Sequence, residues 1–172
     1  MSNVIYKQGQ ISDIDENLGI VKGYGSVFGN KDSDNDIIEK GAYRRTIKNN
    51  GSRVKYLYQH DITKPIGKMK ELYEDEKGLV FVAEVPKTTF GNEVLELMKY
   101  GVIDENSVGI MPVKKDYDED GIRVIKEAKL YEISAVTIAA NDEAKILEVK
   151  GEYDNIDYLT KRFDNLIKVI RK

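Results

Sequence analysis

The sequence predicts an α+β fold in which a mainly antiparallel barrel of six or seven β-strands carries packed helices. Segments with alternating apolar and polar residues, or with short apolar runs, outnumber the helical segments. The strands and helices do not follow the βαβ order of a parallel sheet. A closed or nearly closed barrel is a natural way for so many strands to avoid exposed edges.

The first half of the chain carries the signals of two strands separated by a loop and a helix. In chain order these are a strand at 18–28, a polar loop at 30–36, a helix at 41–49 and a strand at 53–59. Gly23 and Gly25 indicate a bend in the first strand. Asn49-Asn50-Gly51 is a helix-stop signal. His60 lies at the end of the second strand.

The second half predicts a hairpin, a helix, more strands and a final helix. In order these are strands at 65–73 and 79–85, a helix at 88–100, strands at 107–113, 122–125 and 130–138, and a helix after Gly151. The last helix has apolar residues at helical spacing: Ile156, Leu159, Phe163, Leu166, Ile167 and Ile170. We therefore predict a barrel domain at 1–150 and an amphipathic C-terminal helix at 151–172.

Composition excludes several classes of protein. The 172 residues are 41% hydrophobic and 33% charged, which suits one globular domain. A net charge of −3 lacks the basic excess typical of nucleic-acid binding. The absence of cysteine excludes disulfides, zinc–thiolate sites and thiol nucleophiles. Neither a signal-peptide pattern nor a membrane-length apolar run is present, so we expect a cytoplasmic protein without nucleic-acid or membrane partners.

One acidic string resembles half of a calcium-binding loop. Asp32, Asp34 and Asp36 have the spacing of its first ligands. Ile37 stands where the loop needs glycine, and Tyr43 stands where it needs a bidentate glutamate. We therefore interpret the string as a turn held by its own side chains, and we expect neither a metal nor a cofactor.

Three side-chain types suggest a hydrolytic site. A serine needs a neighbouring base to become a nucleophile, and the base needs an orienting partner. His60 is the only histidine. Ser107 begins an apolar strand, with Gly109 two residues later, where the missing side chain would admit a close backbone approach. Glu132 is a carboxylate within an apolar strand and must be solvated, paired or bound. Ser134, on the same face as Glu132, is a competing candidate nucleophile.

Five strings occur together in one order and are more specific than any single residue. They are Gly23–Gly29 with Asp36–Tyr43, Leu57–Asp61 with Pro65–Gly67, Gly78–Val82, Gly101–Ile103 with Ser107–Ile110, and Leu130–Thr137 with Ala140–Ala144. Over roughly residues 19–149 the chain resembles the prohead (capsid maturation) protease family of tailed bacteriophages. The fold of that family is similar to that of the herpesvirus assembly proteases.

The resemblance implies a role for each candidate residue. His60 would be the general base, Ser107 the nucleophile and Glu132 the third member of a Ser-His-Glu triad. Asp61 and Asp142 are weaker alternatives for the third position. The herpesvirus relatives use a second histidine there, which this chain lacks.

The resemblance also implies a substrate and a location. The chain would be a serine endopeptidase that cleaves a capsid or scaffold segment, and itself, inside an assembling procapsid in the host cytoplasm. A homodimer or an assembly-dependent oligomer is expected. The alternatives are a non-catalytic capsid or scaffold component and a barrel-type binding module. The sequence departs from the family in the acidic string at 104–106, which we expect to raise the pKa of the imidazole and to alter substrate preference.

Overall fold

The computed structural model describes residues 18–150, which form eight strands and two α-helices. In chain order they are β1 (Leu18–Val27), β2 (Asp36–Ile38), α1 (Arg44–Asn50), β3 (Lys55–Tyr58), β4 (Asp61–Glu74), β5 (Gly78–Pro86), α2 (Thr89–Lys99), β6 (Glu105–Tyr117), β7 (Arg123–Val136) and β8 (Ile146–Lys150). A short 3-10 turn, Gly51–Arg53, follows α1. The helix predicted at 151–172 lies outside the described residues. The α+β class is confirmed.

All eight strands belong to one mixed sheet, in the order β2-β7-β3-β4-β5-β1-β8, with β6 paired to β7. Strand β7 pairs in parallel with β2 at one end and with β3 at the other. The remaining pairs are antiparallel. The parallel pairing of β3 with β7 matters most for the site, because it aligns Lys55–Tyr58 with Glu132–Ala135.

The prediction of a barrel is wrong, because the sheet is not closed. Within residues 18–150, the strand pairing between the β6 and β8 ends of the sheet is a single bridge from Glu105 to Lys145, just before β8 begins. The strand count is also higher than predicted. The segments predicted at 122–125 and 130–138 form one continuous strand, β7, and β2 and β8 were not predicted. Strand β7 continues through its polar middle because its solvent-facing positions tolerate charges.

The helices cover the apolar face of the sheet. Helix α2 begins at the N-cap Thr88, whose hydroxyl accepts a 2.9 Å hydrogen bond from the Gly91 N–H. It buries Val94, Leu95 and Met98, which join the core around β1, β4 and β5. No helix between residues 18 and 150 has the length and apolar character needed to cross a membrane.

The acidic string at 32–36 forms a side-chain-supported turn. One carboxylate oxygen of Asp32 accepts hydrogen bonds from the N–H groups of Asp34 (2.9 Å) and Asp36 (2.8 Å). The carboxylate of Asp36 is in turn bound by both guanidinium arms of Arg123, with Nε at 2.6 Å. The carboxylate of Asp32 therefore holds the turn, and that of Asp36 joins β2 to β7.

Candidate active site

The tight turn between β3 and β4 places His60. Gln59 and His60 both have positive φ, 54° and 57°, as a two-residue type I′ hairpin turn requires. Such a backbone costs a residue other than glycine about 1–2 kcal/mol. Hydrogen bonds to β7 and the segment just after it offset this cost. The Gln59 N–H donates to the carbonyl of Ala135 (2.9 Å), and its side-chain amide donates to the hydroxyl of Thr137 (2.7 Å). The position of the turn is therefore fixed by β7.

The imidazole of His60 contacts the carboxylate of Glu132. The distance from His60 Nδ1 to Glu132 Oε1 is 2.7 Å, and the side chains are 45% and 13% exposed. The hydrogen bond to Glu132 raises the pKa of His60 above its ordinary value of 6.5, against the opposing effect of burial. With Nδ1 directed at the carboxylate, Nε2 is the nitrogen that could accept a proton from a substrate-side group.

Ser134 is buried between the two members of this pair. Its hydroxyl donates a 2.6 Å hydrogen bond to Glu132 Oε2 and accepts a 3.1 Å hydrogen bond from the backbone N–H of His60. The side chain is fully buried. A hydroxyl with its proton committed to a carboxylate, and without exposure, is a poor nucleophile. The geometry therefore disfavours Ser134 as a competitor of Ser107.

Gly109 provides the space that Glu132 occupies. The two residues are directly opposite in the β6–β7 ladder. A Cβ at position 109 would lie 2.3 Å from Glu132 Oε1 and 2.9 Å from Glu132 Cγ. The sequence suggested a close backbone approach at this glycine, whereas the structure places a side chain there.

Ser107 lies on β6 and shares a cavity with His60. The cavity has a volume of about 340 Å³. Its walls come from β1, from the 32–36 turn, from the start of β6 and from the segment after β7, residues 138–141. Ser107 is buried, with 9% of its surface exposed, and lies opposite Ser134 in the ladder. The structure thus brings Ser107 and His60 to one cavity and places Glu132 on the imidazole.

The alternative third members are engaged elsewhere or exposed. Asp61 accepts hydrogen bonds from the N–H and hydroxyl of Thr63 at 2.9 and 2.6 Å, and lies 3.6 Å from Lys64. These contacts, led by the Thr63 hydroxyl, lower the pKa of Asp61. Asp142 is exposed in the loop after β7. Among these three carboxylates, the one that contacts the imidazole is that of Glu132.

Asn106, the residue before Ser107, was not among the predicted site residues. It is fully buried. Its side chain accepts a hydrogen bond from the hydroxyl of Tyr56 (3.2 Å) and donates one to the carbonyl of Tyr24 (3.1 Å), and its backbone N–H donates to the carbonyl of Ala144 (2.7 Å). These bonds fix the start of β6, and with it Ser107. The sequence signal that could have identified Asn106 is its position directly before the candidate nucleophile Ser107.

The acidic string at 104–106 does not act on the imidazole as expected. Lys145 lies 2.7 Å from Glu105 and 3.1 Å from Asp104. The bond to Lys145 lowers the pKa of Glu105, and Glu105 also accepts the backbone N–H of Ala139 at 2.8 Å. The raised pKa of His60 comes from Glu132 instead.

A serine and an imidazole on one cavity, with a carboxylate behind the imidazole, are the groups of a serine-hydrolase site. The comparisons with known proteins agree with this class. The sequence matches the family of Caudovirus prohead serine proteases over residues 7–158. The chain therefore belongs to that family.

Two curated relatives support the assignment. The chain is 37% identical to the prohead protease of Enterobacteria phage HK97, over 80% of this chain and 63% of the relative. It is 29% identical to the prohead protease of Escherichia phage T5, over 77% and 64%. The chain thus spans slightly less than two thirds of the length of these relatives.

The solved structures bear on the fold alone. The bacteriophage T4 capsid assembly protease superposes with a TM-score of 0.56 at 13% identity, over 68% of this chain and 80% of that one. KSHV protease, in complex with a hexapeptide phosphonate inhibitor, superposes with a TM-score of 0.53 at 6% identity, over 88% and 77%. The predicted likeness to herpesvirus proteases is confirmed at the level of the fold.

Proposed function

We propose that this chain is a serine endopeptidase that cleaves capsid or scaffold polypeptide, and itself, during maturation of a phage prohead. The observation that carries the proposal is the 2.7 Å contact between His60 and Glu132 beside the cavity that Ser107 lines. Membership of the prohead serine protease family supports the choice of reaction. The names of the relatives, which are prohead and capsid assembly proteases, support the choice of substrate.

In the proposed mechanism, the hydroxyl of Ser107 attacks a peptide carbonyl while Nε2 of His60 takes its proton. His60 then protonates the leaving amine, and the acyl-enzyme is hydrolysed by a water molecule that the same imidazole deprotonates. Glu132 keeps the proton of the neutral imidazole on Nδ1 and stabilises the imidazolium that forms in each half-reaction. Cleavage therefore requires the neutral imidazole at the start of each attack.

We propose residues 1–150 as the peptidase domain, with 151–172 appended as a tether or as a contact with a second copy. The enzyme would work inside the assembling procapsid in the host cytoplasm, as a dimer or as an assembly-dependent oligomer. Neither nucleic acid nor membrane is part of the proposed reaction.

The test is co-expression of the chain with a capsid precursor, comparing wild type with Ser107→Ala. The matched control is Ser52→Ala, which alters an exposed serine in the 3-10 turn. We expect processing by wild type and by the control, and none by Ser107→Ala. Equal processing by Ser107→Ala would exclude Ser107 as the nucleophile. Assembly of shells without any processing by wild type would favour the non-catalytic capsid or scaffold component.

A fluorophosphonate reagent gives a second readout that needs no knowledge of the substrate, because it phosphonylates an activated serine. Labelling should be lost in Ser107→Ala and strongly slowed in His60→Asn, since the serine depends on the imidazole for activation. Labelling that persists in Ser107→Ala and maps to Ser134 would reverse the assignment of the two serines.

A further inference from the structure

The hydroxyl of Ser134 joins two parts of the candidate site that lie far apart in the sequence. It donates to the second carboxylate oxygen of Glu132, while the first oxygen contacts His60. It also accepts the backbone N–H of His60 itself. One buried side chain therefore touches both the carboxylate and the main chain that carries the imidazole.

Ser134 lies in apolar surroundings, where burying a hydroxyl costs free energy unless it is hydrogen-bonded. Its chain neighbours Ile133, Ala135 and Val136 are all buried. A buried hydroxyl without hydrogen bonds costs free energy, and an alanine would fit the same space. The hydroxyl of Ser134 instead donates one hydrogen bond to Glu132 and accepts one from His60.

The two hydrogen bonds of Ser134 constrain different degrees of freedom. A carboxylate held through one oxygen can still rotate about its terminal bond, whereas one held through both oxygens has a fixed plane. The turn that carries His60 has an unfavourable left-handed backbone, so its position depends on contacts made to the N–H groups of Gln59 and His60. Ser134 supplies the contact to His60.

We propose that Ser134 is a positioning residue of the active site: its hydroxyl fixes the plane of the Glu132 carboxylate and anchors the turn that carries His60. The inference rests on the proposed function for its catalytic meaning. Ser134 does not itself touch substrate in this role. It acts by keeping the imidazole and the carboxylate at hydrogen-bonding distance.

The pKa of His60 tests the proposal without any proteolysis assay. Because the chain has one histidine, its imidazole gives a single set of NMR titration signals. In Ser134→Ala the carboxylate gains freedom and its contact with Nδ1 is populated less, so the pKa should fall from its raised value toward 6.5. The other carboxylates near His60 are the same in both proteins: Asp61, the next residue along the chain, and Asp32, Asp34 and Asp36, which line the same cavity.

Thr46→Val is the matched control. The hydroxyl of Thr46 is also buried, donates to the carbonyl of Ala128 and accepts the N–H of Leu130, in the middle of β7. Removing it should destabilise the fold but leave the pKa of His60 unchanged. A purely structural role for Ser134 predicts the same outcome for both variants, and that result would overturn the proposal.

A double-mutant cycle separates the coupling between Ser134 and Glu132 from a general loosening of the fold. In a Glu132→Gln background, Ser134→Ala should leave the imidazole titration where Glu132→Gln alone has placed it. An unchanged or higher pKa in the single Ser134→Ala variant, or an equal drop in both backgrounds, would refute the proposal.

The rate of fluorophosphonate labelling should fall by up to about 100-fold in Ser134→Ala and stay constant in Thr46→Val. If the imidazole titrations behave as expected but wild type is never labelled and never cleaves, the positioning stands and the peptidase function fails.

Discussion

The space above Gly109 offers the sharpest test of how this site is built. In Gly109→Ala, the new Cβ would lie 2.3 Å from Glu132 Oε1, 2.9 Å from Cγ and 3.0 Å from Cδ. Non-bonded carbon–oxygen contacts are ordinarily longer than about 3.3 Å. The carboxylate must therefore move by about 1 Å, or β6 and β7 must separate by a similar distance.

That displacement is large compared with the hydrogen bond it affects. The contact of 2.7 Å between Glu132 Oε1 and His60 Nδ1 would lengthen to about 3.7 Å if the carboxylate retreats, which is beyond hydrogen-bonding distance. A misplacement of about 1 Å costs on the order of 100-fold in rate, and complete loss of the orienting carboxylate costs about 10⁴-fold. We expect the labelling rate of Gly109→Ala to be lower than that of wild type by a factor between these two values. We also expect its free energy of unfolding to be lower by about 1–3 kcal/mol because of overpacking.

The assay is the rate of fluorophosphonate labelling, together with the NMR titration of the single imidazole and urea unfolding. Gly51→Ala is the matched control, because Gly51 has φ −54° and its added Cβ would have its nearest contact at 3.9 Å. The control should retain wild-type labelling and imidazole pKa. A Gly109→Ala protein that also retains both would show that Glu132 has room elsewhere, and the argument from the missing side chain would fail.

Three further predictions concern the pair of His60 with Glu132 and the buried amide of Asn106. The labelling rate should rise with pH, with a midpoint above 6.5, because Glu132 raises the pKa of His60. Glu132→Gln should lower both the midpoint and the rate. An unchanged midpoint in Glu132→Gln would contradict this expectation. His60→Asn should destabilise the fold most at a pH below the unfolded imidazole pKa, and the difference from wild type should shrink as pH rises through the raised folded pKa, as urea unfolding at several pH values would measure. Asn106→Leu should leave Tyr56 and Tyr24 without their buried partners, at a cost of about 1–3 kcal/mol for each group; adding Tyr56→Phe should recover part of the loss, and an additive further loss in the double variant would argue against this network.

The sequence predicted local structure well where one face of an element is apolar. The alternation at 53–59 and the apolar spacing at 88–100 led to β3 and α2 within a few residues. The length of β7 was missed because Lys126, Glu127 and Lys129 interrupt its apolar pattern. The closure of the sheet was predicted wrongly, because closure depends on the tilt of the strands and on the stagger between them, which periodicity does not encode.

The sequence was enough to select the candidate residues but not to predict how they are arranged. His60, Ser107 and Glu132 stood out by residue type and by resemblance. Their arrangement depends on the parallel pairing of β3 with β7 and on a turn with two left-handed residues. Gln59 and His60 carry no turn signal, because such turns favour Asn-Gly and Asp-Gly. The contribution of Asn106 could not be predicted either, since its three partners come from β1, β3 and the loop before β8.

The cavity beside Ser107 draws its walls from the beginning, the middle and the end of the described chain. A ribosome-bound chain that has not yet released β7 lacks Glu132 and every anchor of the His60 turn. Under the proposed function, a chain at that stage could not activate Ser107, because its imidazole would have neither a fixed position nor its carboxylate partner. On that proposal, pairing of β7 with β3 and β6 would have to precede any cleavage.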